Sequence, residues 1–347
     1  MVNPANAHMV RLPISKADLG EWTRLVNAIA DFDQTGEKYT PTLLEEELEA
    51  PGVDQDLDTL AIFDGDRMVA YGQLHVTDGL RDGYAKAIFG GGVDPAYRRR
   101  GLGAEVLAWL FKRGSAKAAE KHPGHPTLAS MWIHHPGSVD EILALNNGFV
   151  RARYFADMSL NFDVWEPPAG FEIGAPPRPD ALAVEFLPKQ HGEATRHAHN
   201  EAFADHWGST SRTKENWESV VLGSVAFRPQ LSRIAINPEL STELSTELST
   251  ENPDAVLPDD AVDAYVLATE YQDKELYIST VGTRRRARGK GLATELLVES
   301  LKQAQREGFV KAELGVDSAS PTGANAIYER IGFRVVRTSV VMERLLT

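Results

Sequence analysis

The sequence predicts an α/β fold, a twisted mixed sheet flanked by helices, repeated in tandem. Three observations carry this expectation. The chain has 347 residues, too many for one ordinary domain and suited to two of ~150–180 residues. A basic, glycine-containing segment occurs once in each half, between a short apolar strand and an amphipathic helix. Between the halves, Trp165-Glu166-Pro167-Pro168-Ala169-Gly170 and Ala175-Pro176-Pro177-Arg178-Pro179 bracket a connector, which proline makes semi-rigid and extended. The expected domains are residues 1–165 and 170–347, with the Pro-rich linker over 166–180.

The first half opens on an extended segment, Met9–Leu12, and a helix over Lys16–Phe32. Strands over Thr59–Phe63 and Met68–Val76 are joined through Asp64-Gly65-Asp66, a hairpin turn by residue type and length. Ala85–Val93 is the strand entering the first basic segment. The helix after it places Leu102, Val106, Leu107, Leu110 and Phe111 on one stripe. His122-Pro123-Gly124-His125-Pro126 ends that helix, and Leu128–Ile133 is the next strand.

The second half repeats the plan. Helices are expected over Lys189–Phe203 and Lys214–Leu222, and strands near Leu231–Ile236 and Val262–Tyr271. Lys274–Val281 leads into the second basic segment, whose helix carries Leu292, Leu296, Leu297, Leu301 and Ala304. Ala312–Val316 is the strand after it. A Glu-Leu-Ser-Thr repeat over 239–252 reads as a surface loop, although Leu240, Leu244 and Leu248 would also suit a helical turn.

Composition excludes several classes. Hydrophobic content of 42% and charged content of 25% suit a soluble globular protein. There is no cysteine, which removes disulfides, thiolate metal sites and cysteine nucleophiles. His197 and His199 stand two apart and would not share a helix face, so no metal is expected. No apolar run reaches membrane-spanning length, and Met1–Asn6 lacks a secretory pattern, so no membrane partner and a cytoplasmic location are expected. A net charge of -14 argues against nucleic acid. The expected assembly is a monomer or homodimer.

Two basic islands stand out from this acidic background. Aligned without a gap from Val93 and Val281, Arg98, Gly101 and Gly103 match Arg286, Gly289 and Gly291. Glycines at a helix start let the backbone approach a ligand, and the unpaired amides there face an anion. Cations at a helix N-terminus oppose its dipole, a conflict that a bound polyanion removes. The expected pyrophosphate cradles are Val93 with Arg98, Arg99, Arg100, Gly101, Leu102 and Gly103, and Val281 with Arg286, Ala287, Arg288, Gly289, Lys290, Gly291, Leu292 and Ala293. Neither is a dinucleotide fingerprint or a P-loop.

Arg-x-x-Gly-x-Gly at a strand-to-helix junction, followed in the second half by Ala326-Ile327-Tyr328-Glu329-Arg330-Ile331-Gly332-Phe333, resembles the GCN5-related N-acetyltransferases, the GNAT superfamily. The resemblance implies acetyl-CoA as co-substrate and acetyl transfer to a primary amine of a small molecule by direct attack in a ternary complex. It carries onto the Val281 backbone N–H a contact near the thioester, and onto Tyr328 protonation of the departing sulfur. A phenol suits that task because its ordinary pKa of about 10 keeps it protonated at neutral pH. Aligning Phe149 with Phe333 sets Ala144 opposite Tyr328, so the first half is expected to be a degenerate, catalytically silent domain. Where the family often has an asparagine before its tyrosine, Pro321 stands here, and Asn325 is the nearest alternative.

The same resemblance places Glu201, Asp205, His206 and Trp207 on the acceptor wall, where they offer charge and stacking to a cationic or sugar-like amine. Glu270, Glu275 and His206, or a water chain, are candidates for the general base. The tandem arrangement is similar to that of the mycothiol synthase family, which acetylates a cysteinyl amino-sugar, and of antibiotic-modifying tandem acetyltransferases. The alternative is a non-catalytic CoA-binding sensor or scaffold, which would have no use for a phenol at the sulfur.

Overall fold

A computed structural model describes residues 6–171, 182–237, 256–319 and 323–346. The expected loop over 239–252, most of the linker and Pro321 lie outside the described residues. The chain forms two compact units, Met1–Phe155 with Arg337–Thr347, and Ala156–Val336. The boundary expected at residue 165 falls instead at Phe155, and Arg337–Thr347 belong with the first unit. Proline density marks where a chain is irregular, whereas strand pairing decides which unit a segment completes.

In the first unit the strands are β1 (Val10–Leu12), β2 (Thr59–Asp64), β3 (Arg67–Arg81), β4 (Tyr84–Val93) and β5 (Thr127–Ile133). They lie in that order and are completed by β12 (Arg334–Leu346), whose Val340–Leu346 run antiparallel to β5. Only β4 and β5 pair in parallel among these strands, because helix α4 (Leu102–Lys121) carries the chain back between them. The expected stripe is buried: Leu102, Val106, Leu107 and Leu110 pack with Ala87, Phe89 and Phe149. A second cluster joins Trp22, Leu25 and Val26 of α1 (Leu19–Asp33) to Leu44 and Leu48 of α2 (Pro41–Leu48). Helix α2 starts cleanly, with Thr40 accepting from the Leu43 amide and Pro41 in the first turn. Short helices α3 (Gln55–Asp58) and α5 (Val139–Asn146) complete the unit.

The second unit takes Ala156–Asn161 of β6 (Val150–Asn161), then β7 (Leu182–Glu185), β8 (Arg233–Ile236), β9 (Val262–Gln272), β10 (Glu275–Thr283) and β11 (Lys311–Asp317). Their order is β6-β11-β10-β9-β8-β7. Helix α6 spans Pro188–Ala202, α7 (Lys214–Asn216) continues into a π-helical turn over Trp217–Leu222, α8 spans Leu292–Arg306 and α9 spans Ala324–Ile331. Alternation along β9 divides its two faces. Ala264, Val266 and Ala268 pack with Leu296, Leu297 and Leu301 of α8, while Tyr265 and Leu267 pack with Ala194 and Ala198 of α6.

Each unit parts its parallel strands where its basic segment begins. Pairing of β4 with β5 ends at Phe89↔Met131 although β4 continues to Val93. Pairing of β10 with β11 ends at Tyr277↔Glu313 although β10 continues to Thr283. The gaps lie at the carboxyl ends of the strands, where open α/β sheets take ligands.

Candidate functional site

The two basic loops have the same backbone, in a register that the gapless alignment misses. Short 3-10 turns occupy Pro95–Tyr97 and Arg285–Ala287. Positive φ follows at Arg99 (65°) and Gly289 (77°), then at Gly101 (89°) and Gly291 (81°), the residues that cap α4 and α8. The Arg98 Nε donates to the Val93 carbonyl at 3.3 Å, and the Arg288 Nε to the Thr283 carbonyl at 3.3 Å. Val93 therefore matches Thr283, not Val281, and Arg98-x-x-Gly101-x-Gly103 matches Arg288-x-x-Gly291-x-Ala293. Counting glycines misplaced the repeat because left-handed backbone demands glycine more strongly at the cap than inside the first turn, where Ala293 serves.

At both helix starts the first ladder bond runs from Glu105 N to Gly101 O and from Glu295 N to Gly291 O, and neither cap offers a side chain. The early amides are thus left for an anion. The matched arginines differ in their partners. Arg98 is neutralised by Asp33 through two bonds of 2.7 and 2.5 Å. Among the described residues, Arg288 meets only the carbonyls of Thr283 and Ala202, and Lys290 has no ion pair. Arg284, Arg285 and Arg286 are engaged by Glu201 (2.6 Å), Asp205 (2.5 Å) and Asp263 (2.7 Å). Within this loop, Arg288 and Lys290 are the cations without a carboxylate partner among the described residues.

Tyr328 lies on α9, half-buried against the core that holds Ile331 and Phe333, with its ring 6.1 Å from that of Phe333. Its hydroxyl has no hydrogen-bond partner among the described residues. Burial pushes the phenol up to about 12, so it holds its proton at neutral pH. The Phe149 amide donates to the Ala144 carbonyl just as Phe333 donates to Tyr328, which puts Ala144 at the corresponding place in the first unit. Val281 pairs with Val266 on the stretch of β10 that β11 no longer flanks. The Asn325 side-chain amide donates to the Ser318 carbonyl at 3.4 Å.

The other candidates are dispersed. Glu201 and Asp205 brace the basic loop, as above, and burial, which raises the Glu201 carboxyl, is outweighed by its bonds to Arg284 and the Arg285 amide. His206 contacts the Trp207 carbonyl through Nδ1 at 3.0 Å, and both residues are half-buried. Glu270 and Glu275 stand at the β9–β10 hairpin, roughly 20 Å along the strand from Val281 at ~3.3 Å per residue. There Glu270 bonds Arg228 at 2.7 Å and Glu275 pairs with Lys311 at 2.9 Å. Neither can act as base at the cradle, because the sequence order that puts them before the motif puts them at the far end of β10. His197 and His199 do face apart: His197 approaches Glu193 and Asp259, while His199 turns inward to Tyr265.

Sequence reasoning missed the pairing of Tyr265 with Gly282. A Cβ on Gly282 would lie 2.4 Å from the Tyr265 ring, so only glycine fits beneath it. The signal was present, since Gly92 and Gly282 hold the same place before the two loops.

The sequence profile of the GNAT acetyltransferase family matches residues 22–123 and 213–333, together more than half of the chain. The chain belongs to this family. It is a tandem member and an acyltransferase, in a family that generally draws on acetyl-CoA or another acyl-CoA. No protein of curated function matches the sequence significantly. Among solved structures, a GCN5-related N-acetyltransferase from Sphaerobacter thermophilus is similar with 22% identity and a TM-score of 0.70, over 98% of this chain and 96% of that one. A tandem GNAT protein from the clavulanic acid biosynthesis pathway has 18% identity and a TM-score of 0.66, over 98% and 99% of the two chains. A glucosamine N-acetyltransferase region of a fungal multi-domain β-N-acetylglucosaminidase has 13% identity and a TM-score of 0.66, over 97% of this chain and 38% of that one. At these identities the likeness speaks for the fold. No helix among the described residues is long and apolar enough to cross a membrane.

Proposed function

We propose that the second unit transfers an acetyl group from acetyl-CoA to the primary amine of a small molecule. The observation that carries this reading is a contrast within one chain. The second unit pairs Arg288, which has no carboxylate partner among the described residues, with Tyr328, whereas in the first unit Asp33 holds Arg98 and Ala144 stands at the tyrosine's place. Residues present fit the co-substrate: two positive-φ glycines, an uncapped helix start and free cations suit a pyrophosphate. Acetyl-CoA when bound supplies an activated thioester.

Arg288, Lys290 and the amides of Leu292 and Ala293 hold the phosphates in this reading. The Val281 amide donates toward the carbonyl on the bare stretch of β10, an oxyanion contact. Tyr328 keeps a proton at its hydroxyl for the sulfur, and with no cysteine in the chain direct attack by the amine is the simplest route. Glu201 and Asp205 support the loop, leaving His206 and Trp207 as the acceptor-side residues. CoA-thiol release measured against a panel of amines, including an amino-sugar and an aminoglycoside, tests the proposal. Release with at least one amine, lost on Gly291→Val and kept on Gly101→Val, is expected; the reverse pattern would move the site to the first unit.

A further inference from the structure

Glu193, His197 and Asp259 form a cluster in the second unit that the proposed reaction leaves unused. Glu193 and His197 stand four apart on α6, so they share a helix face. His197 Nε2 lies 3.3 Å from Glu193 Oε1 and 3.4 Å from Asp259 Oδ2. All three ligand atoms fall within 4.8 Å of one another. The two spacings from the imidazole exceed the ~2.9 Å of an ordinary N–H···O bond. They match the edge of a coordination tetrahedron, roughly 3.4 Å when its bonds are ~2.1 Å long.

The backbone around these groups is tied down. Asp259 sits in a turn that the Ala261 amide closes on the Pro258 carbonyl at 2.9 Å. The Leu257 amide joins the same segment to α6, donating to the Gln190 carbonyl at 2.9 Å. Arg284 adds a second link, since it donates to the Asp259 carbonyl at 2.5 Å and to Glu201 of α6 at 2.6 Å. Asp259 is exposed, and Glu193 and His197 are half-buried, which leaves room for water to complete a coordination shell.

Arg196 reveals where the imidazole lone pair points. Its guanidinium grips Glu193 through Nε at 3.0 Å and Nη2 at 2.5 Å, and Nη2 lies 3.0 Å from His197 Nε2. A guanidinium can only donate, so Nε2 accepts. That lone pair therefore faces the two carboxylates, and a single guanidinium charge stands against both of them.

We infer that Glu193, His197 and Asp259 bind a divalent transition-metal ion of the zinc class, in competition with Arg196. An imidazole beside two carboxylates suits zinc or nickel, whereas magnesium and calcium favour shells made of oxygen alone. The spacing of His197 and His199 does not disclose the site, because it takes one imidazole and two carboxylates. A bound ion joins α6 to the turn ahead of β9, and so stabilises the folded chain.

The inference does not depend on acetyl transfer, and its test omits acetyl-CoA, whose phosphates would chelate the ion. The full-length chain, stripped with a chelator and dialysed, is titrated calorimetrically with zinc chloride and, separately, with nickel chloride. One ion bound per chain and a raised thermal midpoint are expected. His197→Gln and Asp259→Asn each weaken binding at least ~10-fold, while His125→Gln, at an exposed histidine outside the cluster, leaves it unchanged. Arg196→Leu removes the competitor and tightens binding several-fold; if that variant fails to fold, the His197 and Asp259 variants decide alone. Absence of saturable binding for both metals, affinity indifferent to His197 and Asp259, or displacement of zinc by an equal concentration of magnesium overturns the inference.

Discussion

The amide of Phe333 donates to the carbonyl of Tyr328 at 3.0 Å. That bond closes α9 and fixes the tyrosine at one place relative to the strand that follows. Its counterpart, from Phe149 to Ala144 at 3.1 Å, closes α5 around a methyl group. One turn of backbone thus presents a phenol in one unit and nothing ionisable in the other.

Tyr328→Phe removes only the hydroxyl. It is expected to lower kcat by about a hundredfold, within the usual range for a general acid, with acetyl-CoA affinity unchanged. Because the folded phenol titrates at about 12, activity that needs its proton persists below that pH and falls as pH rises through it. A variant as fast as the parent, with chemistry rate-limiting, removes Tyr328 from the reaction.

The loop register makes a sharp distinction between two glycines. A Cβ added at Gly289 would meet nothing within 4 Å, and the counterpart residue is Arg99, so Gly289→Arg is expected to be tolerated with a modest loss of CoA affinity. Gly291 caps α8 at φ 81°, and Gly291→Val is expected to weaken acetyl-CoA binding at least ~10-fold through left-handed strain. The opposite ranking by calorimetry restores the gapless alignment.

Arg288→Ala is expected to raise the acetyl-CoA Kd about tenfold, the scale of one charge-assisted phosphate contact. Arg98→Ala strands Asp33 instead, so it lowers the thermal midpoint and leaves acetyl transfer close to the parent rate. Equal effects on binding from both variants would mean that Asp33 does not silence the first cradle.

Burial holds His199 down at about 3 and His191 at about 4, both below their ordinary 6.5. The unfolded chain therefore binds more protons than the folded one across this window. The stability these groups contribute is complete above about pH 6.5 and is lost as pH falls toward their folded values, by up to ~1.4 kcal/mol per pH unit for each. His199→Phe is expected to lower stability at pH 7, since Tyr265 loses its partner, and to flatten the loss between pH 6.5 and 4. Parallel pH curves for parent and variant, followed by chemical denaturation, would exclude His199 as a source of that acid sensitivity.

Local patterns are legible where one residue type serves one purpose. The stripe Leu102, Val106, Leu107, Leu110 announces α4, and Asp64-Gly65-Asp66 announces a hairpin. The acyltransferase family follows from the loop and the Tyr328–Phe333 ending. Register is harder, because Arg99 and Gly289 share a left-handed backbone without sharing a residue type. Helices α2 and α5 are short, and β6 and β12 go unpredicted. Nothing local in Val340-Val341-Met342 says that its partner is Met131 and not a nearer strand.

The pairing of β12 with β5 ties Leu346 to Thr127. During synthesis, the first unit cannot complete its sheet until residues near 346 have left the ribosome. By then the whole second unit has emerged, so the usual order, in which an upstream domain finishes before its neighbour appears, does not operate for this chain. A chaperone-accessible, unfinished edge on β5 is the expected nascent species, and ribosome-stalled chains ending before Arg337 should stay protease-sensitive in the first unit while longer ones become resistant.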